Sequence, residues 1–383
     1  MTQLSQDPTA PGFVQDPYPF YARACAAGPL VRWEEYGAIA ATTAEAVTAI
    51  LKDRRFGREA PPFEVPGHLG AFYGVEAHSL LELDPPRHTR LRGLILRAFT
   101  TARVEALRPA LEATAHELID AFPAGPFDLL PAFGAPLPVL TIARLLGFDD
   151  AVAPDLLAWS NAMVRMYQPA RSRADEEAAN AAAGAFSAFI RSEIASRRGK
   201  TGDDLLSALI AAHDEADRLT EPELISTVIL LLNAGHEATV HTIGNGVKTL
   251  LETGSAAHRP VPVEEILRFD PPLHVFARWA REEVTVFGHT FAPGDRVDCL
   301  LASAGRDPAM VPDPNRFDPG RAAKHASFGG GLHFCVGAPL ARLELEIALT
   351  ALLDRCPGLR LTEPPVYADV YHFHGLERLM VEV

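Results

Sequence analysis

The stretch Phe328-Gly329-Gly330-Gly331-Leu332-His333-Phe334-Cys335-Val336-Gly337 confines its part of the chain to a glycine-rich loop that runs straight into a helix. Glycines permit positive φ and let backbone come close to a large flat ligand. The following run, residues 338–346, reads as an amphipathic helix with Pro339 near its first turn, a favoured place for proline. Loop amides and a helix N-terminus near the Cys335 sulfur would favour thiolate over thiol. A thiolate so held suits the axial position of a haem, where it pushes electron density into the iron. The alternative is an inert, buried cysteine beside a flexible loop.

Composition narrows the class. At 48% apolar and 22% charged, the 383 residues can bury a large core in the ordinary way of a globular protein. No apolar run reaches the length of a membrane span, and residues 1–8 lack the basic and apolar regions of a signal peptide. The four cysteines, Cys25, Cys299, Cys335 and Cys356, have neither zinc nor CxxC spacing, which fits a reducing cytoplasm. A net charge of −14 without a basic tract argues against nucleic-acid binding. The expectation is a protein of the cytoplasm with no membrane partner.

Periodicity predicts helices over 45–52, 88–98, 103–122, 155–166, 174–196, 204–213, 222–251 and 263–269. Thr220 ahead of Pro222 and Glu223 forms a capping box that fixes the start of the longest. Strands are expected over 30–33, 38–42, 284–291, 296–301 and 378–383, with loop over 60–74 and a flexible lead over 1–14. The class is α+β with helix in large excess, and no linker divides the chain, so one domain over 1–383 is expected.

The Cys335 loop resembles the haem-binding loop of the cytochrome P-450 family, with every expected position filled, and the likeness extends over residues 15–383. It implies a triangular, mostly helical domain with a small β region. It also implies haem b ligated by Cys335, with Phe328, Gly329 and Gly337 shaping the loop. In the longest helix, Ala234-Gly235-His236-Glu237-Ala238-Thr239 resembles the family's oxygen-binding groove, where an acid–threonine pair guides protons to the oxygen being reduced. Glu237 takes the acid position, but Ala238 stands at the alcohol position and Thr239 comes one place later. A mid-helix glycine costs about 1 kcal/mol, which suggests either local widening of the helix for a ligand or a contact between packed helices.

Other matches are expectations of the same kind. His88 and Arg92, one turn apart after Asp84-Pro85-Pro86, resemble the helix that binds the haem propionates, and Arg278 and His333 match further anchors. Glu265 and Arg268, with Arg316 in Pro314-Asn315-Arg316-Phe317, resemble a structural triad supporting the cysteine loop. Substrate-contact candidates are Phe72, Leu230, Asn233, Ala234, His274, Val275 and Phe373. Leu230, Ala234, Ala238 and His241 share one helix face, and Asn233 lies at its edge, able to bond a substrate group or a backbone carbonyl. Arg87, Arg90, Arg97 and Arg342 can form a basic patch for an acidic redox partner or a solvated face. The connection 252–261 is shorter than is usual in the family.

The resemblance implies a soluble bacterial-type monooxygenase. It inserts one atom of O2 into a small, largely apolar organic substrate. Electrons come from a separate ferredoxin or flavodoxin and its NAD(P)H-dependent reductase, and a monomer is expected. Two alternatives differ in chemistry: a peroxide-driven haem enzyme lacking the usual acid–alcohol relay, motivated by Ala238, and a non-catalytic haem-thiolate sensor.

Overall fold

A computed structural model describes residues 1–168, 171–200, 202–214, 219–371 and 373–383. The chain divides into two compact units, one of Met1–Arg58, Glu112–Gly134 and Ala238–Val383, the other of Glu59–Leu111 and Ala135–Glu237.

The first unit holds a six-stranded sheet in the order Thr2–Leu4, Leu30–Trp33, Ala38–Ala41, Arg296–Leu300, Val275–Ala280, Phe56–Gly57. Leu30–Trp33 and Ala38–Ala41 form a tight antiparallel hairpin, Leu30 opposite Ala41, with Gly37 at positive φ in the turn. The N-terminal residues, expected as a flexible lead, carry Thr2–Leu4 as a parallel edge strand and a short helix at Pro11–Gln15. The edge strand is followed by a Trp33 indole N–H bond to the Gln6 carbonyl, 2.8 Å, which ties the lead down. Phe56, Phe291, Val297 and Cys299 pack with the Ala44–Lys52 helix. Phe13, Phe20, Tyr21, Trp33 and Tyr371 form a separate aromatic cluster. Smaller two- and three-stranded sheets gather the late strands, including Met380–Glu382 paired with Phe127–Asp128.

The second unit is helical, and its long Arg173–Arg197 helix starts at a capping box of Ser172 and Asp175. The expected helix 103–122 is two helices, Thr101–Glu105 and Arg108–Asp120. Pro109 cannot donate to an i−4 carbonyl, so it stands in the first turn of the second helix. The expected loop 60–74 contains a helix, Gly70–Glu76. Its first amides are satisfied from far along the chain, Ala71 and Phe72 donating to Asn180 Oδ1 at 2.8 and 3.1 Å.

Glu221–Glu252 runs as one continuous helix, and the Thr220–Glu223 box is formed in both directions, at 2.9 and 3.4 Å. At its far end Gly254 has φ +67°, and the Ser255 amide reaches back to the Leu250 carbonyl at 2.8 Å. Turns alone then lead to the Val263–Phe269 helix, in keeping with the short connection read from the sequence.

Candidate functional site

In the first unit the Cys335 loop is held from behind. Gly331 has φ +64°, and a Cβ there would stand 2.2 Å from the Leu51 carbonyl oxygen, so a side chain would break the contact with the Ala44–Lys52 helix. Gly329, at φ +70°, likewise faces the Phe276 ring. These two glycines serve packing against protein. The Cys335 amide donates to the Phe328 carbonyl at 3.0 Å, and Gly337 follows as the residue capping the Ala338–Arg355 helix, its Cβ position 3.8 Å from Sγ. That helix, expected to be amphipathic, is buried on most sides, Glu344 included.

The four thiols differ sharply. Cys335 is exposed, whereas Cys299 and Cys356 are buried. Burial pushes the Cys299 thiol up to about 12 and the Cys25 thiol up to about 11, away from thiolate character. Among the four, Cys335 is the exposed one, with Cys25 half-buried, and access is what a metal-ligating thiolate needs.

Phe328 lies between Arg342, 4.5 Å from its ring, and the His325 ring at 5.8 Å. Glu264 clamps both: Arg342 donates to it at 2.6 and 2.9 Å, and His325 Nε2 lies 3.0 Å away. The bonds from His325 and Arg342 pull the Glu264 carboxyl down to about 2 against its partial burial. Arg342 is therefore engaged by Glu264, and in the second unit Arg90 is engaged by Glu223, which shrinks the basic patch read from the sequence.

Glu265 and Arg268 form a fully buried bidentate pair at 2.6 and 2.7 Å. Arg268 also donates to the carbonyls of Gly305 and Pro314, both at 2.9 Å. The expected third member is corrected. The Arg316 side chain is 62% exposed and pairs with Asp313 and Asp318; only its carbonyl meets Arg268. Arg321, 10% exposed, reaches Glu265 Oε1 at 3.2 Å. Both arginines lie in one irregular segment, and its path decides which turns inward.

Arg278 is buried on the Val275–Ala280 strand and donates to the Ala277 carbonyl at 2.9 Å. Arg58, missed in the sequence, brings a second guanidinium to that carbonyl at 3.2 Å. Its signal is weak: it follows the two-residue strand Phe56–Gly57 that pairs with Ala280 and Trp279. His333 is half-buried, at the end of a short 3-10 turn.

In the second unit, His88 is buried and Arg92 half-buried on the Arg87–Ala98 helix. Phe72 is buried on the Gly70–Glu76 helix, not in a loop. Gly235 is explained by packing: a Cβ would meet Ile142 Cδ1 of the Pro136–Leu145 helix at 3.3 Å. Glu237 is half-exposed, with Oε2 3.3 Å from His236 Nε2, and His236 also faces Asn161 Oδ1 at 3.2 Å. Asn233 is buried and its Nδ2 meets Met163 Sδ at 3.8 Å; its Oδ1 has no hydrogen-bond partner among the described residues, a backbone N–H included.

Along the long helix, Leu230 and Ala238 are half-buried and Ala234 is exposed, so the face read from periodicity is the open one. Thr239 is 4% exposed, on a different face from Ala238. The Ala238 carbonyl accepts from Thr242 Oγ1 at 2.7 Å.

Phe373 stands with its ring 5.5 Å from His241 and bridges Leu273. His274 is corrected as a substrate contact, whereas Val275 is half-buried. His274 is fully buried with Nδ1 on the Tyr21 hydroxyl at 3.0 Å, and Val275 packs on the aromatic cluster. Burial holds the His274 pKa well below the ordinary imidazole value.

This donor set suits cysteine-ligated haem: one accessible thiol in a glycine loop, and guanidinium and imidazole groups of the kind that bind propionates. The model of the cytochrome P450 family matches residues 262–362, which include the Glu265–Arg268 pair and the Cys335 loop. The chain is 41% identical to the cytochrome P450 monooxygenase PikC of Streptomyces venezuelae, over 92% of this chain and 87% of that one. It is 38% identical to 6-deoxyerythronolide B hydroxylase of Saccharopolyspora erythraea, over 84% and 82%. Among solved structures it resembles P450BioI in complex with a hexadec-9Z-enoic acid-ligated acyl carrier protein, with TM-score 0.91, 33% identity and coverage of 97% and 99%. Relatives this similar over this much of their length settle the family: the chain belongs to the cytochromes P450, the cysteine-ligated haem monooxygenases that act on small organic substrates with O2 and redox partners.

Proposed function

We propose that Cys335 supplies the haem thiolate, that His88, Arg92, Arg278 and His333 hold the propionates, and that residues 1–383 work as one catalytic domain. The observation that carries this reading is the exposure of Cys335 in a loop whose glycines fix its path, while Cys299 and Cys356 are buried and Cys25 is half-buried. Haem held by these residues would supply the activation of O2, one atom going to the substrate and the other, with two electrons and two protons, to water. A ferredoxin or flavodoxin delivers the electrons to a monomer in the cytoplasm.

The chain's own part is to seat the substrate and to manage protons. Leu230, Ala234, Phe72 and Phe373 supply apolar contact. Asn233 Oδ1 is a buried acceptor, and leaving such a group unpaired costs roughly 1–3 kcal/mol, so a substrate hydroxyl is favoured there. Ala238 offers only a methyl group where an alcohol would hold a proton-bearing water, and buried Thr239 does not replace it. Glu237, with His236 beside it, can hold a water, and the substrate's own polar group completes the path. The substrate is thus an apolar framework bearing a hydroxyl, carbonyl or carboxylate. Relatives named for hydroxylating 6-deoxyerythronolide B, or for hydroxylating or epoxidising mycinamicin IV, support an oxygenated substrate.

The test is turnover of such compounds with surrogate ferredoxin and reductase. Product carrying one atom from labelled O2, formed with consumption of reduced nicotinamide, supports the reading. Turnover with hydrogen peroxide alone favours a peroxide-driven enzyme, and turnover with neither favours a sensor.

A further inference from the structure

Behind Phe373, the first unit holds a buried polar cluster that oxygen chemistry does not use. Asp270 is 3% exposed; its Oδ1 accepts from the Tyr18 hydroxyl at 2.7 Å and meets His374 Nδ1 at 3.0 Å, and its Oδ2 accepts from the Tyr367 hydroxyl at 2.5 Å. The Tyr367 ring stacks on His374 with centroids 3.7 Å apart. Asp270, His274 and His374 are close enough to suggest a metal site. Three donors already occupy the carboxylate, however, and His274 Nδ1 is taken by Tyr21, while His274 Nε2 and His374 Nε2 have no hydrogen-bond partner among the described residues. Burial alone would raise the Asp270 pKa, but His374, Lys248 and the Tyr367 bond carry it well below the ordinary value. It remains a carboxylate.

The side-chain link is reinforced on the main chain. Asn245 Nδ2 donates to the His374 carbonyl at 2.8 Å and to the Asp270 carbonyl at 3.3 Å, and the His374 amide donates to the Pro272 carbonyl at 2.8 Å. His374 follows Phe373 directly. On its other side Gly375 presses on His241, where a Cβ would stand 1.9 Å from Nδ1. Phe373 is therefore tied, through His374, to Asp270.

We infer that Asp270 is a positioning residue for specificity: through His374 and Asn245 it fixes Phe373 against the substrate. This rests on the proposed contact between Phe373 and substrate.

The experiment is a double-mutant cycle on the holoenzyme, with 4-phenylimidazole as probe and unsubstituted imidazole as the smaller control that lacks the phenyl group. Phe373→Ala and Asp270→Asn should each weaken 4-phenylimidazole by about fivefold or more, with imidazole within about twofold. The double variant should be no weaker than Phe373→Ala alone, because both changes remove one contact. Amide exchange at Phe373 and His374 should accelerate in Asp270→Asn. If Asp270→Asn does not fold, Tyr367→Phe enters the same cycle, removing one hydroxyl from the carboxylate. Additive effects on the probe, or unchanged exchange, would overturn the inference. Accelerated exchange with no effect of Phe373→Ala on the probe would instead sink the substrate-contact reading, leaving the anchor as structure only.

Discussion

Ala238 stands out in the bare sequence, because one methyl group at an alcohol position is a chemical statement. In the structure Thr239 is buried, on a different face from Ala238. Ala238→Thr should therefore raise the ratio of product to hydrogen peroxide for substrates without a placed polar group, and change it little for the native one. Tight coupling of the parent with every substrate tried would show that no relay is missing. Arg316 and Arg321 show where residue-level reading stops. Both follow Pro314 in an irregular stretch, and no period tells which guanidinium turns inward. Arg321→Ala removes bonds to Glu265 and to the Pro312 carbonyl, so it should cost roughly 1–3 kcal/mol. Arg316→Ala, at an exposed side chain, should stay within about 0.5 kcal/mol. Urea unfolding of the two variants checks the order.

Elements announce themselves where local chemistry sets their ends. Val263–Phe269 and Leu30–Trp33 lie where periodicity places them, and the Thr220–Glu223 box starts the long helix one residue before the predicted one. Gly70–Glu76 is hidden because its cap, Asn180, comes from a distant helix. Gly235 also packs close to Ile142 on another helix, a contact that no local pattern in the sequence announces. The clamp of Glu264 on Arg342 and His325 makes a link that spacing alone could not reveal. Because the Glu264 pKa falls from 4.5 to about 2 on folding, its stabilisation is complete above 4.5 and is lost as pH falls toward 2. The Glu264→Gln variant should unfold at lower urea than the parent at neutral pH, by a modest margin since the pair is partly exposed. That gap should narrow below about pH 4.5. A gap that widens on acidification would contradict the clamp.

At the scale of the molecule, helix excess and a small β region are legible from period, but strand order is not. Thr2–Leu4 joins Leu30–Trp33 in parallel, and Ala38–Ala41 joins Arg296–Leu300 across more than 250 residues; such pairings leave no local trace. No helix among the described residues is long and apolar enough to cross a membrane. What the fold delivers is one exposed thiol while Cys299 and Cys356 are buried and Cys25 is half-buried, and the whole account depends on it. The most direct measurement is the carbon-monoxide spectrum of the reduced, haem-loaded protein. The parent and the Cys25→Ser, Cys299→Ser and Cys356→Ser variants should show the band characteristic of a haem thiolate, and Cys335→Ser should lose it. An intact thiolate band in Cys335→Ser would contradict the account.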